Sequence, residues 1–147
     1  MMKEPIGHKF IEVRVGAEKY ALAIHWIKEV IRVPAITTLP ASHPYFRGVI
    51  HLRNAVLPVY LLSVLLGSDP APAERSARIV ILQLADSCIG VMVDEVIKVT
   101  GTANVQPPPD AGGTAEPALL SGLYLENGDI VGILDIVRLA TLLGIES

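Results

Sequence analysis

The side chains that most often perform catalysis or bind metals are few in this sequence, and their spacing suits neither task. The four histidines are scattered along the chain: His8, His25, His43 and His51. None has the His-x-His or His-x-x-x-His spacing of paired metal ligands, and Cys88 has no second cysteine with which to complete a zinc site or a disulfide. Asp94 and Glu95 are neighbours, and neighbouring side chains on a strand point to opposite faces, so they are not expected to act as an acid–base pair. We therefore expect no enzyme activity, no metal and no cofactor.

Two charged residues lie within apolar strand-like sequence. Glu29 lies in the segment 26–31 and Arg53 ends the segment 48–53. Charged groups flanked by core-type residues tend either to pair with each other or to face a partner. The simpler alternative is that both are outward-facing strand residues in water, and composition alone leaves these possibilities open.

The composition restricts the class of protein. The 147 residues suit one domain, and the formal net charge of −3 argues against a general nucleic-acid-binding protein. Mean hydropathy is high at +0.49, but the longest apolar run, residues 55–66, is broken by Pro58 and Ser63 and is too short to span a membrane. The first residues do not resemble a signal peptide, so we expect a cytoplasmic protein without membrane insertion.

Alternating apolar and polar residues with turn residues between them predict a mostly β protein. Asn127-Gly128 is a strong hairpin signal between two of the predicted strands, and Asn54 is expected to form a turn between two others. The clearest predicted strands cover residues 10–15, 78–84, 88–93, 119–125 and 129–134. Helical periodicity is confined to residues 61–66 and 135–143, and Asp135 is the predicted N-cap of the second helix.

The sequence also contains an internal repeat. Glu29-Val30-Ile31-Arg32-Val33 recurs as Glu95-Val96-Ile97-Lys98-Val99, and each copy is followed by a loop, a hairpin and a short helix. Five short strands per copy predict two small barrels, since closing a sheet removes its exposed edges. We expect the barrels to occupy residues 10–67 and 78–144, with 68–77 as the linker, within a single domain over 1–147.

Several segments, in order along the chain, resemble the CheW family of chemotaxis coupling proteins. Gly48-Val49-Ile50-His51-Leu52-Arg53-Asn54 resembles the family's central Gly-Val-Ile-Asn-Leu-Arg-Gly strand and turn. Upstream, Trp26-Ile27-Lys28-Glu29-Val30-Ile31 is similar to its Val-x-Glu-Ile/Val-Ile segment. Downstream, Ile89-Gly90-Val91-Met92-Val93-Asp94-Glu95-Val96 is similar to its Ile-Gly-Leu-Val-Val-Asp-x-Val segment, and Ile133-Leu134-Asp135-Ile136 to its last strand and helix start.

The resemblance implies an all-β, non-catalytic adaptor with two five-stranded SH3-like barrels around a shared hydrophobic seam. Such adaptors couple the regulatory domain of a CheA-type histidine kinase to the cytoplasmic tips of methyl-accepting chemoreceptors in membrane-bound arrays. Carried over by position, the receptor-binding groove is Ile27, Glu29, Val30, Gly48 and Arg53. Glu29 and Arg53 would pair, Ile27 and Val30 would stay exposed, and Gly48 would let a receptor helix approach closely.

The chain departs from the family pattern at four positions. His51 replaces an asparagine, Asn54 a glycine, Leu61 an aspartate and Ser63 an arginine. The loss of both charges at Leu61 and Ser63 indicates either an altered partner interface or a structural pair lost together. Two alternatives therefore stay open: an adaptor in a non-flagellar chemosensory system, controlling twitching motility or gene expression, and a module that binds a small ligand in the seam.

Overall fold

A computed structural model of the chain describes residues 8–40, 43–70, 72–102, 104–108 and 119–145. In order, the strands among these residues are β1 His8–Val15, β2 Glu18–Ala23, β3 Ile27–Arg32, β4 Phe46–Leu52, β5 Ala55–Leu61, β6 Arg78–Gln83, β7 Cys88–Val93, β8 Glu95–Thr102, β9 Leu120–Glu126 and β10 Asp129–Leu134. Helix α1 Leu62–Leu65 follows β5, and helix α2 Ile136–Leu142 follows β10. The mostly β prediction is confirmed. A turn of 3-10 helix at Ile24–Trp26, between β2 and β3, was not predicted.

The strands pair into two five-stranded sheets, which form two SH3-like barrels. The first, here called barrel I, has the strand order β8-β1-β2-β10-β9. The second, barrel II, has the order β3-β6-β7-β5-β4. Each contains one parallel pair in the same place, β2 with β10 and β5 with β7, so the two barrels are built alike.

The boundaries of the barrels differ from the predicted 10–67 and 78–144. Barrel II is continuous from β3 to β7, and barrel I combines β1 and β2 with β8, β9 and β10. Each barrel therefore takes two strands from one copy of the repeat and three from the other. The segment 68–77 does not join the two barrels. It connects α1, which follows strand β5 of barrel II, to strand β6 of the same barrel. A repeat shows which segments are equivalent, but it does not show which copy each segment pairs with.

The largest cluster of buried apolar residues lies between the barrels. Val13 and Leu22 of barrel I pack there together with Val80 and Val91 of barrel II. Leucines of α1 and α2 complete this cluster, including Leu62 and Leu139, which explains why both helices are apolar on the face that packs inward. The predicted shared hydrophobic seam is confirmed.

Each barrel also has an interior of its own, and the two interiors differ in chemistry. The buried cluster of barrel II is entirely aliphatic: Ile50, Leu57, Val59, Ile79 and Ile81. Barrel I has Phe10 stacked on Tyr124, with ring centroids 5.6 Å apart. The Tyr124 hydroxyl donates a hydrogen bond of 2.7 Å to Oε2 of Glu12, and both residues are 0% exposed.

The turn and cap residues are mostly where the sequence predicts them. Asn127 and Gly128 have φ values of 52° and 85°, as a type I′ hairpin turn requires at both central positions. Asp135 caps α2, because its Oδ1 accepts a 3.0 Å hydrogen bond from the backbone N–H of Arg138. In the β4–β5 turn, however, the left-handed residue is Arg53, with φ of 56°, rather than Asn54. Arg53 is thus a turn residue and not the strand residue that the sequence indicated.

Candidate functional site

Glu29 and Arg53 form a bidentate ion pair on the surface of barrel II. Arg53 Nη1 donates to Glu29 Oε2 at 2.6 Å, and Nη2 donates to Oε1 at 3.0 Å. The side chain of Arg53 is 66% exposed and that of Glu29 is 25% exposed. The hydrogen bonds from Arg53 lower the pKa of Glu29, so the carboxylate is ionised at neutral pH. The predicted pairing is confirmed, and the prediction that both residues lie in apolar strands is wrong for Arg53.

This pair joins the two free edges of the barrel II sheet. Glu29 lies on β3 and Arg53 directly follows β4, and these strands are the first and last in the sheet order. Barrel I has an ion pair in the matching place, between Lys98 on β8 and Glu126 at the end of β9. The Glu29–Arg53 pair therefore helps to close barrel II. It has this structural role whether or not it also binds a partner.

Ile27 and Val30 are less exposed than the resemblance implied. Both are half-buried and pack against the cluster in the seam. The β3–β6 register shifts between Ile27 and Glu29, and this bulge lets Ile27 and Val30 face the seam while Glu29 reaches the edge of the barrel. The exposed apolar docking surface expected at Ile27 and Val30 is therefore only partly available.

Gly48 has a different reason to be glycine from the one that the resemblance implied. It is buried, its φ is 144°, and an added Cβ would lie 2.3 Å from the backbone oxygen of Thr37. The chain between β3 and β4 forms a bridge to β4 here, with two 2.9 Å hydrogen bonds between Thr37 and Val49. Thr37 thus occupies the space that a receptor helix was expected to approach.

Barrel I repeats this arrangement at Gly122. An added Cβ at Gly122 would lie 2.7 Å from the backbone oxygen of Gln106, and Gln106 forms a bridge with Leu123. The two glycines therefore serve the fold, because each admits a crossing segment of its own chain.

One exposed apolar residue of the β4–β5 hairpin was missed by the sequence reasoning. Val56 is 57% exposed and lies opposite His51 in the β4–β5 hairpin whose turn carries Arg53. It was hidden within the apolar run 55–66, where alternation does not show which side chains face outward. Val56, His51 and the Glu29–Arg53 pair together form the candidate site, here called the hairpin surface.

The other departures from the family pattern lie away from the turn itself. Leu61 is the half-buried last residue of β5, and its N–H donates a 2.8 Å hydrogen bond to the backbone oxygen of Tyr45. Ser63 is half-buried in α1, where its backbone oxygen accepts a hydrogen bond from Ser68. Both positions thus make backbone contacts in which the lost charged side chains would take no part.

Within the described ranges, no group of three or more His, Cys, Asp or Glu side chains is placed to hold a metal ion. Likewise, no helix among these residues is long and apolar enough to cross a membrane. Cys88 is half-buried, and its thiol lies 3.1 Å from Oε1 of Gln83, within hydrogen-bonding distance.

Comparison with known proteins agrees with this architecture. Residues 9–143 match the family of CheW-like domains. The chain is 28% identical over 132 residues to the chemotaxis protein CheW of Rhizobium meliloti, covering 88% of this chain and 85% of that protein. It is 29% identical over 86 residues to Protein PilI of Pseudomonas aeruginosa, covering 58% of this chain and 48% of that protein. The crystal structure of the scaffolding protein TtCheW from Thermoanaerobacter tengcongensis superposes with a TM-score of 0.81 at 25% identity, covering 92% of this chain and 89% of that one.

Proposed function

Because the chain belongs to the family of CheW-like domains, we propose that it is a non-catalytic scaffold that couples chemoreceptors to a sensory histidine kinase. The relatives support this role, since they include chemotaxis proteins and a solved scaffolding protein that covers nearly the whole fold. The partners would be the cytoplasmic tip of a receptor and the regulatory domain of a CheA-type kinase.

The observation that carries the receptor half of the proposal is the exposed Glu29–Arg53 pair. Its two hydrogen bonds fix the guanidinium before any partner arrives, which lowers the entropy lost on binding. Val56 adds exposed apolar area on the same hairpin. A helical receptor tip with an apolar stripe next to an acidic residue would match both features.

Substitutions at Arg53 distinguish a role of the ion pair in receptor binding from its role in closing the barrel. We expect Arg53→Asp to reduce capture of a receptor cytoplasmic fragment at least tenfold, because it places like charges together at the hairpin surface. The melting temperature should fall by no more than about 2–4 °C, since exposed ion pairs contribute little to stability. Capture on beads and thermal unfolding would be measured on the same preparations.

Arg47→Asp is a matched control, because Arg47 also lies on barrel II, on β4, where its Nη1 donates a 3.2 Å hydrogen bond to Oγ1 of Thr38. A second variant, Glu29→Arg with Arg53→Glu, reverses the pair without removing it. If receptor capture is restored in this double variant together with stability, the pair serves barrel closure alone and the receptor proposal is wrong. Lost capture with retained stability supports a partner that reads the sign of the charge.

A second candidate is a scaffold in a non-flagellar system. It is favoured by one observation, that the matches are not confined to proteins named for chemotaxis but include Protein PilI. Mild crosslinking of the tagged protein in its native cells, followed by mass spectrometry, distinguishes the two. The kinase and receptors recovered with it would identify the output, and recovery of neither class would contradict both candidates.

A small ligand in the seam has less support. The seam is filled by buried side chains. The depressions that border it have volumes of about 260 to 400 Å³. Pockets for drug-sized ligands usually have about 300–1,000 Å³, so these depressions are at or below the small end of that range.

A further inference from the structure

We propose that barrel II carries an anion site for a phosphate-type dianion, in the depression between the end of β3 and the turn before β6. The depression has a volume of about 360 Å³. Val33, Glu74 and Ala77 form part of its lining, and the rest consists of three arginines: Arg32, Arg75 and Arg78. The site is independent of the scaffold role, and its test needs neither receptor nor kinase.

The charges that line the depression are unbalanced. Three guanidinium groups and one carboxylate leave an excess of two positive charges. The carboxylate of Glu74 is itself drawn to Arg14, whose Nη2 lies 3.3 Å from its Oε1. Among the residues that the structure describes, Arg32, Arg75 and Arg78 form no ion pair. A phosphate monoester carries about −1.5 to −2 at neutral pH and would balance this excess.

The depression is fixed in place by its own hydrogen bonds. A turn carries Arg75, and it is closed by a 3.0 Å bond from the N–H of Ala77 to the backbone oxygen of Glu74. Nη1 of Arg78 donates to the backbone oxygens of Arg75 and Ala77 at 3.1 and 2.8 Å. Arg78 therefore holds the turn that presents Arg75, which reduces the ordering cost of binding.

The arrangement has a cost to folding that an anion would relieve. Arg32 lies directly opposite Arg78 in the β3–β6 register, and like charges in that relation destabilise a sheet. Barrel I supplies a contrast, because Lys9, which corresponds in register to Arg78, lies opposite Gly101. Barrel II thus places two arginines opposite each other where barrel I has a single cation.

Phosphate titration of the isotope-labelled protein, followed by NMR at constant ionic strength and pH 8, tests the proposal. We expect saturable shifts around the depression with inorganic phosphate, and about tenfold weaker binding in Arg32→Gln, because one charge-assisted contact is removed. Arg47→Gln removes the same charge from β4 and should leave the affinity unchanged. Equal weakening in both variants, or no saturable shift in the wild type, would overturn the proposal.

Thermal unfolding without phosphate gives a second readout. Arg32→Gln should raise the melting temperature slightly, because it removes a repulsion, whereas an arginine with a stabilising structural role would lower it. A lowered melting temperature together with unchanged phosphate affinity would contradict the proposal. A short phosphoserine peptide then distinguishes the sources of the group: tighter binding than inorganic phosphate indicates a phosphorylated partner, and equal binding indicates a free phosphate compound.

Discussion

Barrels I and II share strand order, a parallel pair, an edge ion pair and a glycine under a crossing segment, yet their interiors differ. At the position where Glu12 faces Ala21 in barrel I, barrel II has Ile81 facing Gly90. Tyr124 likewise corresponds to Ile50, because each lies the same number of residues before its hairpin turn. The same backbone plan therefore accepts either an aliphatic filling or a hydrogen-bonded polar pair.

The difference explains how the distant strands of barrel I are directed to a single pairing arrangement. The Glu12–Tyr124 hydrogen bond joins residues 112 positions apart, one on β1 and one on β9. A buried carboxylate without its donor is costly, so strand arrangements that separate the two groups are disfavoured. Barrel II is made of consecutive strands and lacks such a pair among its buried residues.

The shared glycines give the largest expected effect. Gly48→Ala should destabilise the protein by roughly 2–5 kcal/mol, because strain at positive φ adds to a clash with the Thr37 backbone. Gly122→Ala meets Gln106 at a longer distance and without positive φ, so we expect about 1–3 kcal/mol. Urea unfolding of the two variants measures the difference. Equal losses of unfolding free energy would show that the segments at Thr37 and Gln106 move aside equally well in the two barrels.

The polar pair gives an intermediate effect. Tyr124→Phe should cost about 1–3 kcal/mol, because it leaves the buried carboxyl of Glu12 without its donor. Adding Glu12→Leu makes the interior of barrel I resemble that of barrel II and should recover most of the loss, since replacing both partners removes the unsatisfied group. A double-mutant cycle by chemical unfolding tests this. If Glu12→Leu causes an additive further loss instead, the pair does not act as a unit.

The smallest effect is a dependence on alkaline pH. Burial, followed by the hydrogen bond to Glu12, raises the pKa of Tyr124 above its usual value. The unfolded chain therefore releases this proton from about pH 10 upward while the folded chain retains it, and stability falls with pH in that range. The stability gap between wild type and Tyr124→Phe should shrink between pH 9 and 11. A constant gap would mean that Tyr124 does not contribute to the alkaline loss of stability. Tyr20 and Tyr60 are present in both proteins, so their titration does not change the gap.

Local patterns in the sequence predicted local structure well. The Asn127-Gly128 hairpin and the Asp135 cap follow from backbone preferences of a few adjacent residues, so both were predictable. The Glu29–Arg53 pair was expected from the resemblance to the CheW family, whereas the residues alone left open whether the two charges pair, face a partner or lie in water. Strand bounds were predicted to within a residue or two from local alternation.

Features that depend on long-range pairing were not predictable in this way. Alternation placed Glu12 in a strand, but only the assembled barrel shows that Tyr124 comes within 2.7 Å of it. The position of Thr37 over Gly48 depends on the path of the crossing segment. That segment has no apolar periodicity from which its path could be predicted. The exchange of strands between the two copies likewise left no local signal.

The discontinuity of barrel I has a consequence for the newly made chain. Barrel II is complete once β7 has been synthesised, at Val93, whereas β1 and β2 need β8 and β10, and β10 ends at Leu134. The β1–β2 hairpin therefore waits on the ribosome for roughly 5–20 s, at about 5–20 residues per second, before both of its edges can be paired. During that interval an extended segment from another chain could take the place of β8 or β10. Strands β1 and β2, rather than the barrel that contains the Glu29–Arg53 pair, are then where misassembly is expected to begin.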